Sequence, residues 1–285
     1  MQPPDLIAGF WTLSGGIGPL SPSRICTRSF VSRIRAAAEA GFSGIGFAHD
    51  DLVHWLEVEG REKLRKCLVQ HGMKWVELEL IVDWFAEGDR RAASDRVRSR
   101  LLEVAAEVGA RHVKVVGDRS RQAQWDQDRL VADFSALCDE ARVAGTRIAL
   151  EFQPWSAIHD LQTALPVVLG AAHPCGGLML DIWHVDRGGV AYADIAKLPL
   201  GSITAVELCD ARKAVEGSLW EDTSDRRLLC GEGELEVDRF VDAVRVSGYQ
   251  GPFSLEIISA VHRHRTLDEQ ARSAFQSAAR IFQRP

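Results

Sequence analysis

The feature that most constrains this chain is a regular alternation of short apolar runs with longer amphipathic stretches. The apolar runs fall at residues 6–11, 43–47, 74–79, 112–116, 147–152, 177–180, 202–206 and 253–257, which makes eight. Short apolar runs suit buried strands, and the longer periodic stretches between them suit helices. Helices are expected at 29–40, 50–71, 90–108, 125–144, 158–172, 237–246 and 266–282, with a shorter one near 192–197. Gly41, Gly72, Gly109 and Gly145 each stand just past one of the first four, where a left-handed residue closes a helix. Thr266 and Glu269 have the spacing of a capping box.

Strands alternating with helices imply a parallel sheet. An open doubly wound sheet can also hold eight strands. Near-even spacing and acids at the strand ends favour closure into one (β/α)8 TIM barrel over residues 1–285. The length agrees, since such a barrel runs to about 250 residues as one domain. The glycines of TLSGGIGPL follow the first run but lead into a Pro-Ser loop, so they are not read as a dinucleotide fingerprint. The longest irregular stretch, 209–236, is expected to be the loop after the seventh strand, on the active face.

Composition excludes several classes. Apolar residues make up 46% and charged residues 26%, which does not fit a disordered chain. No apolar run approaches the ~20 residues of a membrane-crossing helix. The formal net charge of −6 argues against a nucleic-acid partner, whose phosphates call for a basic face. Cysteines at 26, 67, 138, 175, 209 and 230 form no C-x-x-C pair. Free thiols in a reducing cytoplasm are expected instead of a thiolate zinc site. The start, MQPPDLIAGFW, lacks the basic-then-apolar pattern of a secretory leader, so a cytoplasmic location is expected.

Chemistry is expected where C-terminal strand ends meet the active face. Those ends are acidic. IALEF carries Glu151, and GLMLD ends at Asp181 with His184 three residues on. ITAVE ends at Glu207 with Asp210 three residues on, and FSLEI carries Glu256. An unpaired charge at such a position is costly to desolvate. Either each acid pairs with its own Arg or Lys, or the acids converge on a cation. Four acids on successive strands favour the cation. Oxygen-rich ligation favours Mn²⁺ or Mg²⁺, with Co²⁺ or Zn²⁺ as alternatives. One divalent ion leaves two negative charges over, to be offset by Lys114, Arg226, Arg227, His184 or a protonated Glu.

Weaker signals surround these acids. His49 and Asp50 follow the second strand. Glu77 and Glu79 share one side of the third, and either reach a substrate hydroxyl or form salt bridges with a neighbouring strand. Trp11, Trp84, Trp155 and Trp183 fall near strand ends, as walls for a sugar ring or as core filling. His184 serves either a substrate hydroxyl, as acid or base, or Asp181 as a hydrogen-bond partner.

The segments LEFQPW at 150–155, LDIWH at 180–184, VELCDA at 206–211, RRLLCGEGEL at 226–235 and GYQGPFSLEII at 248–258 stand in a telling order. Together they resemble the sugar phosphate isomerase/epimerase family, the xylose isomerase-like barrels that also include inosose dehydratases, 3-dehydroshikimate dehydratases and endonuclease IV. In the first half, GFSGIGF at 41–47 is the clearest piece. The resemblance implies one divalent metal held by Glu151, Asp181, Glu207 and Glu256, with Glu207 standing where the family usually has His or Gln. It implies Glu151 and Glu256 as the acids that shuttle a proton next to a carbonyl, through a metal-stabilised enediolate. His184 is the third candidate catalytic residue. Arg227 matches the arginine ahead of the family's G-E-G segment and joins His49, Glu79, Lys114 and Trp155 as a candidate substrate-binding residue. The implied reaction is isomerisation or epimerisation of a small keto-sugar or cyclitol. Departure of an adjacent hydroxyl instead makes a dehydratase. A DNA-repair endonuclease needs further histidines, and none lies between Cys209 and Gly251. A binding barrel that has lost its metal is the remaining alternative. The resemblance also implies a homo-oligomer.

Overall fold

The computed structural model describes residues 4–117 and 125–283. Its strands are β1 (Leu6–Ala8), β2 (Gly44–Ala48), β3 (Trp75–Ile81), β4 (His112–Val116), β5 (Ile148–Glu151), β6 (Gly176–Asp181), β7 (Ile203–Leu208) and β8 (Phe253–Leu255). They follow one another in sequence order around a closed barrel, with β1 pairing in parallel with both β2 and β8. This is the barrel that the strand–helix alternation predicts. Among the described residues no helix is long and apolar enough to cross a membrane.

Local chemistry explains where the elements begin and end. Gly41, Gly72, Gly109 and Gly145 all take positive φ, from 64° to 109°, at the helix ends where they were expected. Thr266 and Glu269 form the anticipated capping box ahead of the helix Leu267–Phe282. The helix expected at 50–71 is instead two, His49–Glu59 and Arg61–Gln70. Gly60 separates them at φ 85° and ψ 151°, which a side chain would oppose. The stretch 209–236 is not wholly irregular either. Ser218 and Glu221 cap a helix over Leu219–Asp225. β1 is shorter than its apolar run because Phe10–Leu13 turn into a 3-10 helix.

Two compact units divide the chain. One holds residues 1–76, 207–239 and 252–285, and the other holds 77–206 and 240–251. Within the first, Arg33 and Asp51 form a buried ion pair. The Asp51 carboxylate also accepts the Cys26 amide at 2.8 Å, and the Arg33 guanidinium lies 5.4 Å from the Phe10 ring centroid. Burial pushes the Asp51 carboxyl up, and Arg33 pulls against it. Within the second, Ala149, Met179 and Ala205 make a small buried cluster. β4 and β5 run in register there, with Lys114 opposite Ala149 and Val116 opposite Glu151.

In the first unit, Thr12 ties the 3-10 turn to the chain around Glu256. Its Oγ1 donates to the Leu255 carbonyl at 2.6 Å and accepts the Ile257 amide at 2.9 Å. The Thr12 carbonyl accepts a hydrogen bond from His262 Nε2 at 3.0 Å. Burial drives the His262 pKa down from 6.5 to about 4, and the Thr12 bond opposes that only in part. An unfolded chain binds this proton near pH 6.5, while the folded one resists until about 4. The neutral ring therefore contributes its full stability, on the order of 3 kcal/mol, above the unfolded pKa, and loses it as pH falls toward the folded one. His262→Gln keeps a donor for Thr12 without the titration. Urea unfolding at a series of pH values is expected to show a shallower loss of stability between pH 6.5 and 4 in that variant. An identical slope would assign the acid sensitivity elsewhere.

Candidate active site

In the second unit, three neighbouring strands set up an alternation of charge. Glu79 on β3, Lys114 on β4 and Glu151 on β5 are all buried. Lys114 Nζ lies 3.0 Å from Glu79 Oε2 and 3.6 Å from Glu151 Oε1. The strand period of two turns these side chains to one face, so adjacent strands can meet charge with charge. Glu77, two residues before Glu79, lies 3.7 Å from His112 Nε2. His112 is driven well below its ordinary pKa by burial, and Arg111, Lys114 and Arg147 add to the effect, so it stays neutral.

Beyond Lys114, Glu151 meets β6. Asp181 closes that strand, and its Oδ1 accepts the Trp183 amide at 2.8 Å, which caps the short helix Ile182–Arg187. The cap fixes the carboxylate, and the helix carries His184 back over it. His184 Nε2 lies 3.6 Å from Asp181 Oδ2 and 3.9 Å from Glu151 Oε1. Gln153 Nε2 donates to the other Glu151 oxygen at 2.9 Å. Glu151, Asp181 and His184 each offer a ligand atom within 4.8 Å of the others, and all three are buried. Trp155 packs beside His184 and Trp183, with ring centroids 5.4 Å and 6.0 Å away.

In the first unit, β7 carries Glu207 and β8 ends one residue before Glu256. Both acids are buried. Arg227 Nη1 lies 2.9 Å from Glu256 Oε2, and its Nη2 donates to Thr223 Oγ1 at 2.9 Å. Of the two adjacent arginines, only Arg227 turns inward. Arg226 reaches Glu216 at 2.7 Å on the exposed side, so of the two considered for offsetting the strand-end acids only Arg227 lies beside one of them. His49 begins the helix after β2 and lies 2.9 Å from Asp50 on the surface, apart from the acids of its unit by any contact described.

Asp210 has a different job. Its carboxylate accepts the amides of Ala211 at 2.9 Å, Gly231 at 2.9 Å and Leu235 at 3.0 Å. It thereby clamps the G-E-G segment that follows Arg227. Gly233 packs so closely that a Cβ there would stand 2.4 Å from both the Ala211 carbonyl oxygen and Asp210 Oδ1. Sequence reading did not single out Thr223, Gln153 or His112. Thr223 lies in the helix that the irregular stretch concealed. Gln153 sits in the LEFQPW segment, where the Glu two residues earlier was the only hint.

A sequence model of the xylose isomerase-like TIM barrel family matches residues 34–279. The chain is similar to a 3-dehydroshikimate dehydratase of Pseudomonas putida, 27% identical over 234 residues, covering 80% of this chain and 36% of the relative. It therefore spans little more than a third of that relative's length. It is also similar to an inosose isomerase of Halalkalibacterium halodurans, 24% identical over 143 residues and 50% of each chain. Among solved structures, a crystal structure of IOLI protein with a bound zinc atom superposes with a TM-score of 0.84 at 18% identity, covering 98% of both chains. That likeness carries the fold.

Gly233→Ala tests the clamp. The added methyl has backbone on one side and the Asp210 carboxylate on the other, and is expected to lower stability by about 1–3 kcal/mol in chemical denaturation. Wild-type stability would mean that the segment yields without cost.

Proposed function

The chain belongs to the xylose isomerase-like TIM barrel family, and on that footing we propose that it is a divalent-metal-dependent isomerase or epimerase of a small keto-sugar or cyclitol. The observation that carries this reading is the buried group Glu151, Asp181 and His184 at the ends of β5 and β6. Glu207 and Glu256 are the proposed remaining ligands, because both are buried and their strands follow β5 and β6 in the sheet order. The donor chemistry fits such an ion. Carboxylate oxygens suit Mn²⁺ or Mg²⁺, and zinc, present in the IOLI structure, is the leading alternative. Arg227 places one positive charge beside an acid of the set and Lys114 shares another between Glu151 and Glu79, which offsets part of the surplus negative charge that one divalent ion leaves. When bound, the ion supplies Lewis acidity toward a carbonyl oxygen and a neighbouring hydroxyl.

The chain's own residues do the rest. Glu151 takes the proton from carbon next to the carbonyl, and Glu256 returns one from the other side of the substrate. Lys114 and Arg227 orient those two carboxylates. His184 and Glu79 reach substrate hydroxyls, whereas His49, held by Asp50 outside the described acids, is left without a part. Trp155, backed by Trp183, offers its face to the apolar side of the ring. Arg227 is also the group to hold an acidic substituent.

A second reading, a dehydratase, is favoured by the 3-dehydroshikimate dehydratase relative, which matches 80% of this chain. The same proton leaves first. The electron pair then expels the hydroxyl on the adjacent carbon, which departs as water after taking a proton from His184 or Lys114.

Incubation of the metal-loaded protein with ketoses, keto-cyclitols and 3-dehydroshikimate in D₂O, read by mass spectrometry, separates the two. A product of unchanged formula that has gained solvent deuterium supports isomerisation, and loss of water supports dehydration. Glu151→Gln and Asp181→Asn are each expected to cut turnover by roughly 100- to 10,000-fold. Stoichiometric metal in the wild type and its loss in Asp181→Asn complete the test. Full turnover or full metal content in both variants would overturn the reading.

A further inference from the structure

The N-terminal ends of the strands in the second unit, remote from Glu151 and Asp181, hold another polar cavity. Its volume is about 200 Å³, and its lining includes Arg111 just before β4, Arg147 just before β5, Gly201 before β7, and Tyr249 and Gly251 before β8. Arg111 is anchored. Its Nη2 donates to the Thr204 carbonyl at 3.1 Å, and it hydrogen-bonds the Tyr249 hydroxyl. Arg147 is not anchored. Its Nε is buried without a hydrogen-bond partner, and among the described residues no carboxylate pairs with it.

The charge around the cavity is unbalanced. Burial and the neighbouring Arg111 both press against the positive charge of Arg147, so the two guanidinium groups feel one another. A guanidinium keeps its proton under such pressure. Burial, the largest influence, pushes the Tyr249 hydroxyl up to about 12, which leaves it an O–H donor at neutral pH. His112 is neutral. Among the described residues, Glu77 is the acid that acts on Tyr249, and it lies 3.7 Å from His112. Arg147, with Arg111 beside it and no carboxylate paired with it among the described residues, is a charge that an anion would offset.

We propose that this cavity binds a phosphate group, either inorganic phosphate or the phosphate of a small monoester, between Arg111 and Arg147 with Tyr249 as a further donor. Guanidinium forks match the oxygens of a tetrahedral oxyanion in pairs, and the cavity is of a size for that group. The site is independent of the proposed catalytic acids and does not rest on the reaction assigned to them.

Calorimetric titration of the full chain with inorganic phosphate, and separately with glycerol phosphate, at constant ionic strength tests the proposal. One saturable event is expected in the wild type. Arg147→Gln is expected to weaken it at least about tenfold, with Arg147→Lys in between, because loss of a charge-assisted pair has that effect. Circular dichroism of both variants checks that they fold, and Glu151→Gln is expected to bind phosphate as the wild type does. Equal binding of both ligands makes an ester an admissible occupant, and binding of inorganic phosphate alone makes the free anion the occupant. No saturable event, acetate binding as tightly as phosphate, or a folded Arg147→Gln that binds as the wild type would overturn the proposal.

Discussion

Buried negative charge is the constraint on which the rest of this molecule depends. Carboxylates at consecutive strand ends lie out of water, where an ionised group without compensation costs several kcal/mol or gives up its charge. The fold meets them with cations from adjacent strands and loops. Lys114 lies between Glu79 and Glu151, and Arg227 lies beside Glu256, steadied by Thr223. A strand turns every second side chain to the same face, so a sheet can place acid, base and acid side by side with no long-range folding of loops. The proposed ion would be a further source of positive charge beside them. Compensation and the proposed catalysis would be two uses of one arrangement.

Much of this was legible in the chain because strands and helices announce themselves by period. Eight apolar runs, four helix-ending glycines and the Thr266–Glu269 box all stand where the pattern puts them. What the pattern could not carry were breaks with no change of composition. Gly60 sits among charged residues that are helical on both sides, and only its backbone angles reveal the interruption. The helix Leu219–Asp225 has the length of two turns, too short for a periodic signal. Arg226 and Arg227 are chemically identical neighbours. Their opposite directions follow from backbone contacts, Arg226 bridging Ser259 and the Arg227 amide reaching the Ile258 carbonyl at 3.1 Å, which no local reading supplies. Partners in space were harder still. Lys114 was noticed, yet its position between Glu79 and Glu151 depends on the register of three strands.

Part of what makes the second half of the chain resemble its family is scaffolding. The Asp of VELCDA binds three backbone amides, two of them in the segment that carries the G-E-G glycines. Gly231 adopts φ 83°, and Gly233 has no space for a side chain. The clamped turn at Gly231–Gly233 follows Arg227 by a few residues and helps hold the chain that carries its guanidinium inward. A motif read as chemistry is, at these positions, the support that lets one arginine do its work.

Thr12 is fastened to the stretch around Glu256 at three points, through the Leu255 carbonyl, the Ile257 amide and the His262 ring. Disturbance at Thr12 therefore reaches the stretch around Glu256. An insertion or fusion that displaced the first turn would unbutton a proposed catalytic carboxylate encoded far downstream, and inactivation by that route would leave every reacting side chain chemically intact.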